Sequence, residues 1–458
     1  MSTPLIHESA DLFAGAGGTT RGLLNAARRA GVRVNLRALN HWLVAITSHE
    51  LNHPDVEHFW ADIQGIQPRE VVKGGRLHSM VASPECIYFS RARGGKPVND
   101  QRRSSASYLL SWVRQLEIDD VLIENVPEFE QWGPLYPDTE ENRLLKIANK
   151  PIPELRGVLF QEFISKLRQR GYHVEWRVLC AADYGDPTTR ERLFIRARLG
   201  NRPITWPAPT HSREHWRAAR EIIDWSKPGT SIYYGRKKPL VPATMRRILA
   251  GVYKFSGLAP FIIPNFGERS GQDPRCHSID APLPTVTSHG AGALVQPCLI
   301  EYHGDHRGNA DGDGRSRSVD EPLPTICANG THIGLTVPFL TEYYGTGGAE
   351  SIDDPLNTIT AKDRFGLAEP VLSRAGAHLL EALKHPDPTY RPLIAEIDGI
   401  LYLVDILYRM LLVKELAAGM GFPPDYIFHG TLGDQVRQVG NAVPLGLSEA
   451  LCYSMLVN

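Results

Sequence analysis

Over roughly its first 200 residues the chain alternates short β-rich runs with helical stretches, a pattern that suits an α/β domain built on a mainly parallel sheet. Strands are expected near residues 9–13, 34–39, 79–82, 120–124, 173–179 and 193–197. Helices are expected between them at 21–30, 43–52, 105–117 and 159–170, with Gly31 and Gly171 placed as C-terminal stops. From about residue 201 the character changes. Pro and Gly become frequent and helical periodicity fades, so a second, β-rich unit is expected over 201–390.

Within 260–370 one pattern occurs three times. It reads Ser278-Ile279-Asp280-Ala281-Pro282-Leu283-Pro284-Thr285-Val286, then Ser318-Val319-Asp320-Glu321-Pro322-Leu323-Pro324-Thr325-Ile326, then Ser351-Ile352-Asp353-Asp354-Pro355-Leu356-Asn357-Thr358-Ile359. An apolar run precedes each copy, which gives a unit of strand, loop, Asp-Pro turn and strand that stacks to bury one core. An apolar helical stretch is then expected over 401–419 and a last helix over 445–456. Segment 391–458 matches the texture of 1–200, so the middle unit reads as an insertion into one discontinuous domain.

Composition narrows the function classes. With 42% hydrophobic and 22% charged residues the chain is neither disordered nor collagen-like. No apolar run reaches the ~18–20 residues of a membrane span, and the start has no secretory pattern, so a cytoplasmic protein is expected. Fifty basic against 51 acidic residues make any nucleic-acid surface local rather than global. The six cysteines form no C-x-x-C pair, which argues against a zinc ribbon or a disulfide framework. No metal site is expected: Asn309 to Gly314 lacks the flanking helices and final Glu of a calcium loop, and Cys298, His303 and His306 lack a fourth ligand.

Five segments carry chemistry. Asp11-Leu12-Phe13-Ala14-Gly15-Ala16-Gly17-Gly18 joins a strand to a helix, a nucleotide-type cofactor loop that NAD enzymes, adenosylmethionine enzymes and structural turns all share. Pro84-Glu85-Cys86 follows a strand and precedes a basic loop with Arg91, Arg93, Lys96, Arg102 and Arg103, which would favour a thiolate. Glu124-Asn125-Val126 ends an apolar strand, where a buried carboxylate is costly unless it binds or reacts. Arg190 and Arg192, two apart and entering a strand, point to one face and suit an anionic partner. Arg437-Gln438-Val439-Gly440-Asn441-Ala442-Val443-Pro444 reads as a turn opening the last helix.

In type, order and spacing these segments resemble the DNA cytosine-5 methyltransferase family, over most of the chain outside the middle unit. The resemblance implies a Rossmann-like adenosylmethionine-dependent methyltransferase sheet with an inserted, smaller, β-rich target-recognition domain. It implies S-adenosylmethionine held by Asp11, Phe13, Gly15, Gly17 and Gly18, with Asp62 on the adenine, Asn40 at the ribose position, and Asn441 and Val443 closing the site. Cys86 would be the nucleophile, Glu124 the acid, and Arg190 with Arg192 the pair that orders the catalytic loop and a flipped base. The segment from Arg409 to Pro423, with Glu415, is similar to the family's penultimate motif.

Departures from the family pattern are Glu85 and Ile87 around the cysteine, Asn40 for an acid, and Thr188 for a glutamine. The implied partner is double-stranded DNA, bound by the Arg91 to Arg103 loop and by Lys237 and Lys238 in a basic entry to the middle unit. A cognate restriction endonuclease and monomeric action complete the expectation. An RNA cytosine-5 methyltransferase and a catalytically silent DNA-binding relative are the alternatives.

Overall fold

The computed structural model describes residues 6–84, 105–200, 202–227, 229–233, 236–242, 244–245, 248, 261–263, 275–288, 291–300, 316–318, 339–342, 349–351, 365–368, 384–391, 393–397 and 400–457. Of these, 261, 296–300, 316–368 and 393–405 are described through their backbone.

All six expected N-terminal strands are present. β1 (Ile6–Leu12), β2 (Arg33–Asn40), β4 (Arg76–Ala82), β5 (Glu117–Asn125), β6 (Tyr172–Cys180) and β7 (Glu191–Leu199) join one sheet with β3 (Glu57–Trp60), a short edge strand that the sequence reading passed over. The order is β3-β2-β1-β4-β5-β7-β6. Pairs β1–β2, β2–β3, β1–β4 and β4–β5 are parallel, whereas β7 runs antiparallel between β5 and β6. The Rossmann-like sheet expected from the sequence is therefore found. Strand order reverses between β1 and β4, so the C-terminal ends of those strands open the crevice where α/β sheets bind ligands.

Helices α1 (Gly18–Ala30), α2 (Leu43–Asn52), α3 (Ser105–Gln115) and α4 (Val158–Gln169) lie where helical periodicity placed them. Gly31 ends α1 in the left-handed conformation at φ 68 and accepts no side-chain alternative without strain. Trp112 of α3 and Phe160 and Phe163 of α4 fill the core on one face of the sheet. Leu23 of α1 fills the other with Leu447 and Leu451 of the last helix, α7 (Leu445–Leu456). That contact is close: a Cβ on Gly22 would stand 2.6 Å from the Ser448 Cβ.

The middle region holds a second sheet in which Phe261–Ile263, Ala293–Ile300, Ile400–Met410 and Leu393–Ile397 are neighbours in that order, plus a three-stranded sheet of Phe339–Glu342, Ala349–Ser351 and Phe365–Ala368. The apolar stretch 401–419 is not one helix. Ile400–Met410 is an 11-residue strand pairing antiparallel with Ala293–Ile300 on one side and Leu393–Ile397 on the other, and only Val413–Gly419 (α5) is helical. A continuous apolar run fits a buried strand or a buried helix equally by periodicity; Ile400, Val404, Ile406 and two tyrosines tip it to the strand. The expected turn at 437–444 is also corrected. α6 (Leu432–Asn441) runs through its first half, started by a reciprocal cap in which Asp434 N–H donates to Thr431 Oγ1 and Thr431 N–H to Asp434 Oδ2. No helix among the described residues is long and apolar enough to cross a membrane.

Candidate active site

The glycine loop leaves β1 at the reversal point. Phe13 has φ 62, a left-handed conformation that costs a bulky residue energy and that the surroundings must enforce. Gly15 and Gly17 also have positive φ, and the Gly15 Cα faces open space, its nearest neighbour to an added Cβ being the Phe13 carbonyl at 3.9 Å. Gly18 begins α1 against the chain's far end, where an added Cβ would stand 2.7 Å from Val443 O. A strained, open-faced loop feeding a helix N-terminus fits the backbone cradle that a nucleotide-type cofactor needs.

Asp11 does not face that cradle. Its side chain is buried and accepts from Thr20 Oγ1 at 2.7 Å, while its other oxygen has no hydrogen-bond partner among the described residues. Burial pushes its carboxyl up to about 7. An unfolded aspartate titrates near ~3.9, so between about pH 4 and 7 the folded chain binds the extra proton and stability falls as pH rises. Asp11→Asn, which cannot ionise, is expected to lose that part of the slope. Urea midpoints of both proteins at about pH 5 and about pH 7.5 check this, and equal slopes would show an ionised Asp11 in the fold.

Glu124 sits at the C-terminal end of β5, nearly buried, with Arg192 Nε 3.0 Å from its Oε1. Asn125 beside it donates from Nδ2 to Pro84 O at 3.4 Å, so the chain leaves β4 toward position 86 alongside Glu124. One cavity gathers Thr19 after the glycine loop, Ala82 and Ser83 at the end of β4, Glu124, Val443 and Ser448. Residues of two of the five segments, Glu124 and Val443, thus line one cavity with the immediate neighbours of two others, Thr19 and Ser83. Cys86, Arg91, Arg93, Lys96, Arg102 and Arg103 lie outside the described residues, as do His303, His306 and Asn309 to Gly314.

The segment from Tyr184 to Arg192 is the junction of the molecule. Asp186, buried, accepts from Gly446 N at 2.9 Å and Leu447 N at 3.0 Å and so caps α7. Thr189 N–H donates to Leu283 O at 2.8 Å, Leu283 N–H to Pro187 O at 2.9 Å, and Arg190 Nη1 to Val286 O at 2.6 Å. The first repeat is therefore joined to this segment by a single parallel bridge between Leu283 and Thr188, and the arginine pair divides its work: Arg192 holds Glu124 and Arg190 holds the repeat. The second and third copies lie mostly outside the described residues.

The remaining sequence candidates are more dispersed. Asn40 turns back on its own chain, its Oδ1 accepting from Trp42 N at 2.8 Å, and Asp62 is exposed and accepts from Gln64 N at 3.0 Å. Asn441 is exposed at the end of α6, and Val443 is buried in the cavity wall. In the basic entry, Arg217 pairs with Glu221, Arg220 with Asp280, and Arg236 donates to Ser231 O, whereas Lys237 and Lys238 are exposed. Arg409 grips the buried Glu415 with two hydrogen bonds of 2.8 Å, tying the Ile400–Met410 strand to α5. Sequence reasoning missed Thr20, His49, His53 and Tyr426, which line the back of the glycine loop; the spacing His49-x-x-x-His53 on one helix face was the available signal.

The family model for C-5 cytosine-specific DNA methylase matches residues 141–229 and 382–456. The type II methylase M.HgiDII of Herpetosiphon aurantiacus is 27% identical over 220 residues, 46% of this chain and 52% of that protein. The type II methyltransferase M.SacI of Streptomyces achromogenes is 28% identical over 237 residues, 48% of this chain and 55% of that protein. A tRNA (cytosine(38)-C(5))-methyltransferase of Spodoptera frugiperda is 27% identical over 203 residues, 44% and 52% respectively. The chain spans about half the length of these curated relatives.

Proposed function

We propose that this chain, which resembles the C-5 cytosine-specific DNA methylases, transfers a methyl group from S-adenosylmethionine to the 5-carbon of cytosine in double-stranded DNA at a specific sequence, releasing S-adenosylhomocysteine. The observation that carries the reading is the meeting of Thr19, which follows the glycine loop, the end of the strand that precedes Cys86, Glu124 and Val443 at one cavity. Phe13, Gly15, Gly17 and Gly18 would hold the cofactor with Asn40, Asp62, Asn441 and Val443, and Asp11 would act from behind through Thr20. S-adenosylmethionine, when bound, supplies the methyl group as an electrophilic sulfonium.

Cytosine's 5-carbon is too weak a nucleophile to take that methyl unaided. The Cys86 thiolate adds to the 6-carbon, and Glu124, held by Arg192, stabilises the proton on ring nitrogen-3 of the resulting enamine. After methylation, loss of the 5-proton and β-elimination release Cys86 as thiolate. The 5-carbon is out of reach inside a duplex, so the base is flipped into the pocket and the loop of Arg91, Arg93, Lys96, Arg102 and Arg103 closes over it. In this reading 1–200 and the part of 391–458 that follows Met410 form the catalytic unit, and 201–390, its sheet completed by Leu393–Ile397 and Ile400–Met410, reads the target, with Lys237 and Lys238 on phosphates. The protein acts as a monomer in the cytoplasm, with a restriction endonuclease of the same specificity as its counterpart.

A second reading, cytosine-5 methylation of tRNA, draws on the Spodoptera frugiperda relative. The large middle region with three repeats favours DNA. Labelled S-adenosylmethionine offered with duplex DNA and tRNA in competition, followed by mass spectrometry of the product base, separates them. 5-Methylcytosine in DNA is expected; label confined to tRNA would install the second reading, and label in adenine would end both.

A further inference from the structure

Behind the glycine loop two lines of hydrogen bonds run from α2. In the first, Tyr426 hydroxyl donates to Ala16 O, a carbonyl that can only accept, so its oxygen is left to accept from His53 Nε2–H at 3.0 Å. In the second, Thr20 Oγ1 hydrogen-bonds Asp11 Oδ2 at 2.7 Å and His49 Nε2 at 3.0 Å, and His49 Nδ1 hydrogen-bonds His58 Nε2 at 2.8 Å. The first line commits His53 to a protonated Nε2, whereas the direction of the second follows the proton on Asp11. Burial holds His49 well below the usual histidine range and His53 at about 4, so each ring stays neutral with one proton to donate at neutral pH. The charged or titratable groups that face them are Arg21 from α1, which acts on His53, and His58, which acts on both rings and is itself faced by Glu50 of α2.

The contact with the loop is direct. A Cβ on Gly17 would stand 2.6 Å from the Tyr426 hydroxyl and 2.9 Å from His53 Nε2, and Gly17 N–H itself donates to Ala14 O at 3.0 Å. The peptide between Ala16 and Gly17 is thus fixed from both sides, in the same turn that carries Phe13 in its costly conformation.

Building on the cofactor reading above, we infer that His49, His53 and Tyr426 are positioning residues for S-adenosylmethionine: they touch no substrate and hold the glycine loop in its binding shape. Tyr426→Phe keeps the ring among Phe422, Phe428 and His53 and removes only the hydroxyl. It is expected to weaken S-adenosylhomocysteine binding, read by calorimetry, by about tenfold, or about 1.4 kcal/mol. Turnover at saturating cofactor stays within about twofold. His53→Gln, which keeps an N–H donor, is expected to bind like the wild type, whereas His53→Leu follows Tyr426→Phe. In the ligand-free protein, amide exchange over residues 14–20 accelerates in Tyr426→Phe and His53→Leu, and nitrogen-15 spectra place the His53 imidazole in the Nε2–H form.

Normal wild-type binding with Tyr426→Phe unchanged in affinity and in loop exchange would overturn the inference alone. Absence of binding by the wild type would overturn the proposed function and this role with it.

Discussion

Glu124→Gln is expected to lower the rate of methyl transfer by about 10²- to 10⁴-fold while S-adenosylhomocysteine affinity stays within about twofold. The glutamine preserves the shape of the cavity wall and can still contact Arg192, so the change isolates the carboxylate's part in stabilising a proton on the cytosine ring. That stabilisation exists only once the 6-carbon is attacked, which is why the loss falls on turnover rather than on cofactor binding. The variant also leaves the Arg192 guanidinium, nearly buried, beside a neutral amide. A lowered melting temperature therefore accompanies the kinetic loss, and steady-state assays must be run well below it. Turnover near the wild-type level would remove Glu124 from the chemistry.

Cys86→Ser is expected to cost more, at least about 10⁴-fold, because a serine hydroxyl at neutral pH is almost wholly protonated and no other step makes the 5-carbon nucleophilic. Duplex DNA carrying 5-fluorocytosine gives this prediction a second readout. With fluorine where the departing proton should be, elimination stalls, and the wild type is expected to remain covalently attached through denaturing electrophoresis while the serine variant runs free. A serine variant that still turns over, or a wild type that leaves no adduct, would rule out the thiolate route.

The parallel sheet and its helices were legible because each strand and helix is locally consistent: apolar strands of five or more residues, amphipathic helices, and glycine at the stops. β3 escaped because Glu57-His58-Phe59-Trp60 is short, polar at one end and an edge. The Ile400–Met410 strand is ambiguous in the sequence because, beside its local partner Leu393–Ile397, its other partner is more than 100 positions away at Ala293–Ile300. At the site, the residues proposed to do chemistry stand out in the sequence as polar groups at the ends of apolar strands. The contacts that hold the site together do not: nothing in the sequence shows that Asp11 accepts from Thr20 or that Arg190 donates to Val286 O. A sequence reveals which side chains are chemically expensive, whereas the division of work among them is a property of the assembled neighbourhood.

Thr19 and Ser448, bonded through the Thr19 carbonyl, stand 429 positions apart. On a ribosome releasing about 5–20 residues each second, the glycine loop is made roughly 20–90 s before Val443 and Ser448 exist to wall it in. During that interval the nascent chain carries the glycine loop and Glu124 without the far wall of their cavity, which is completed only after every residue of the middle region has been translated.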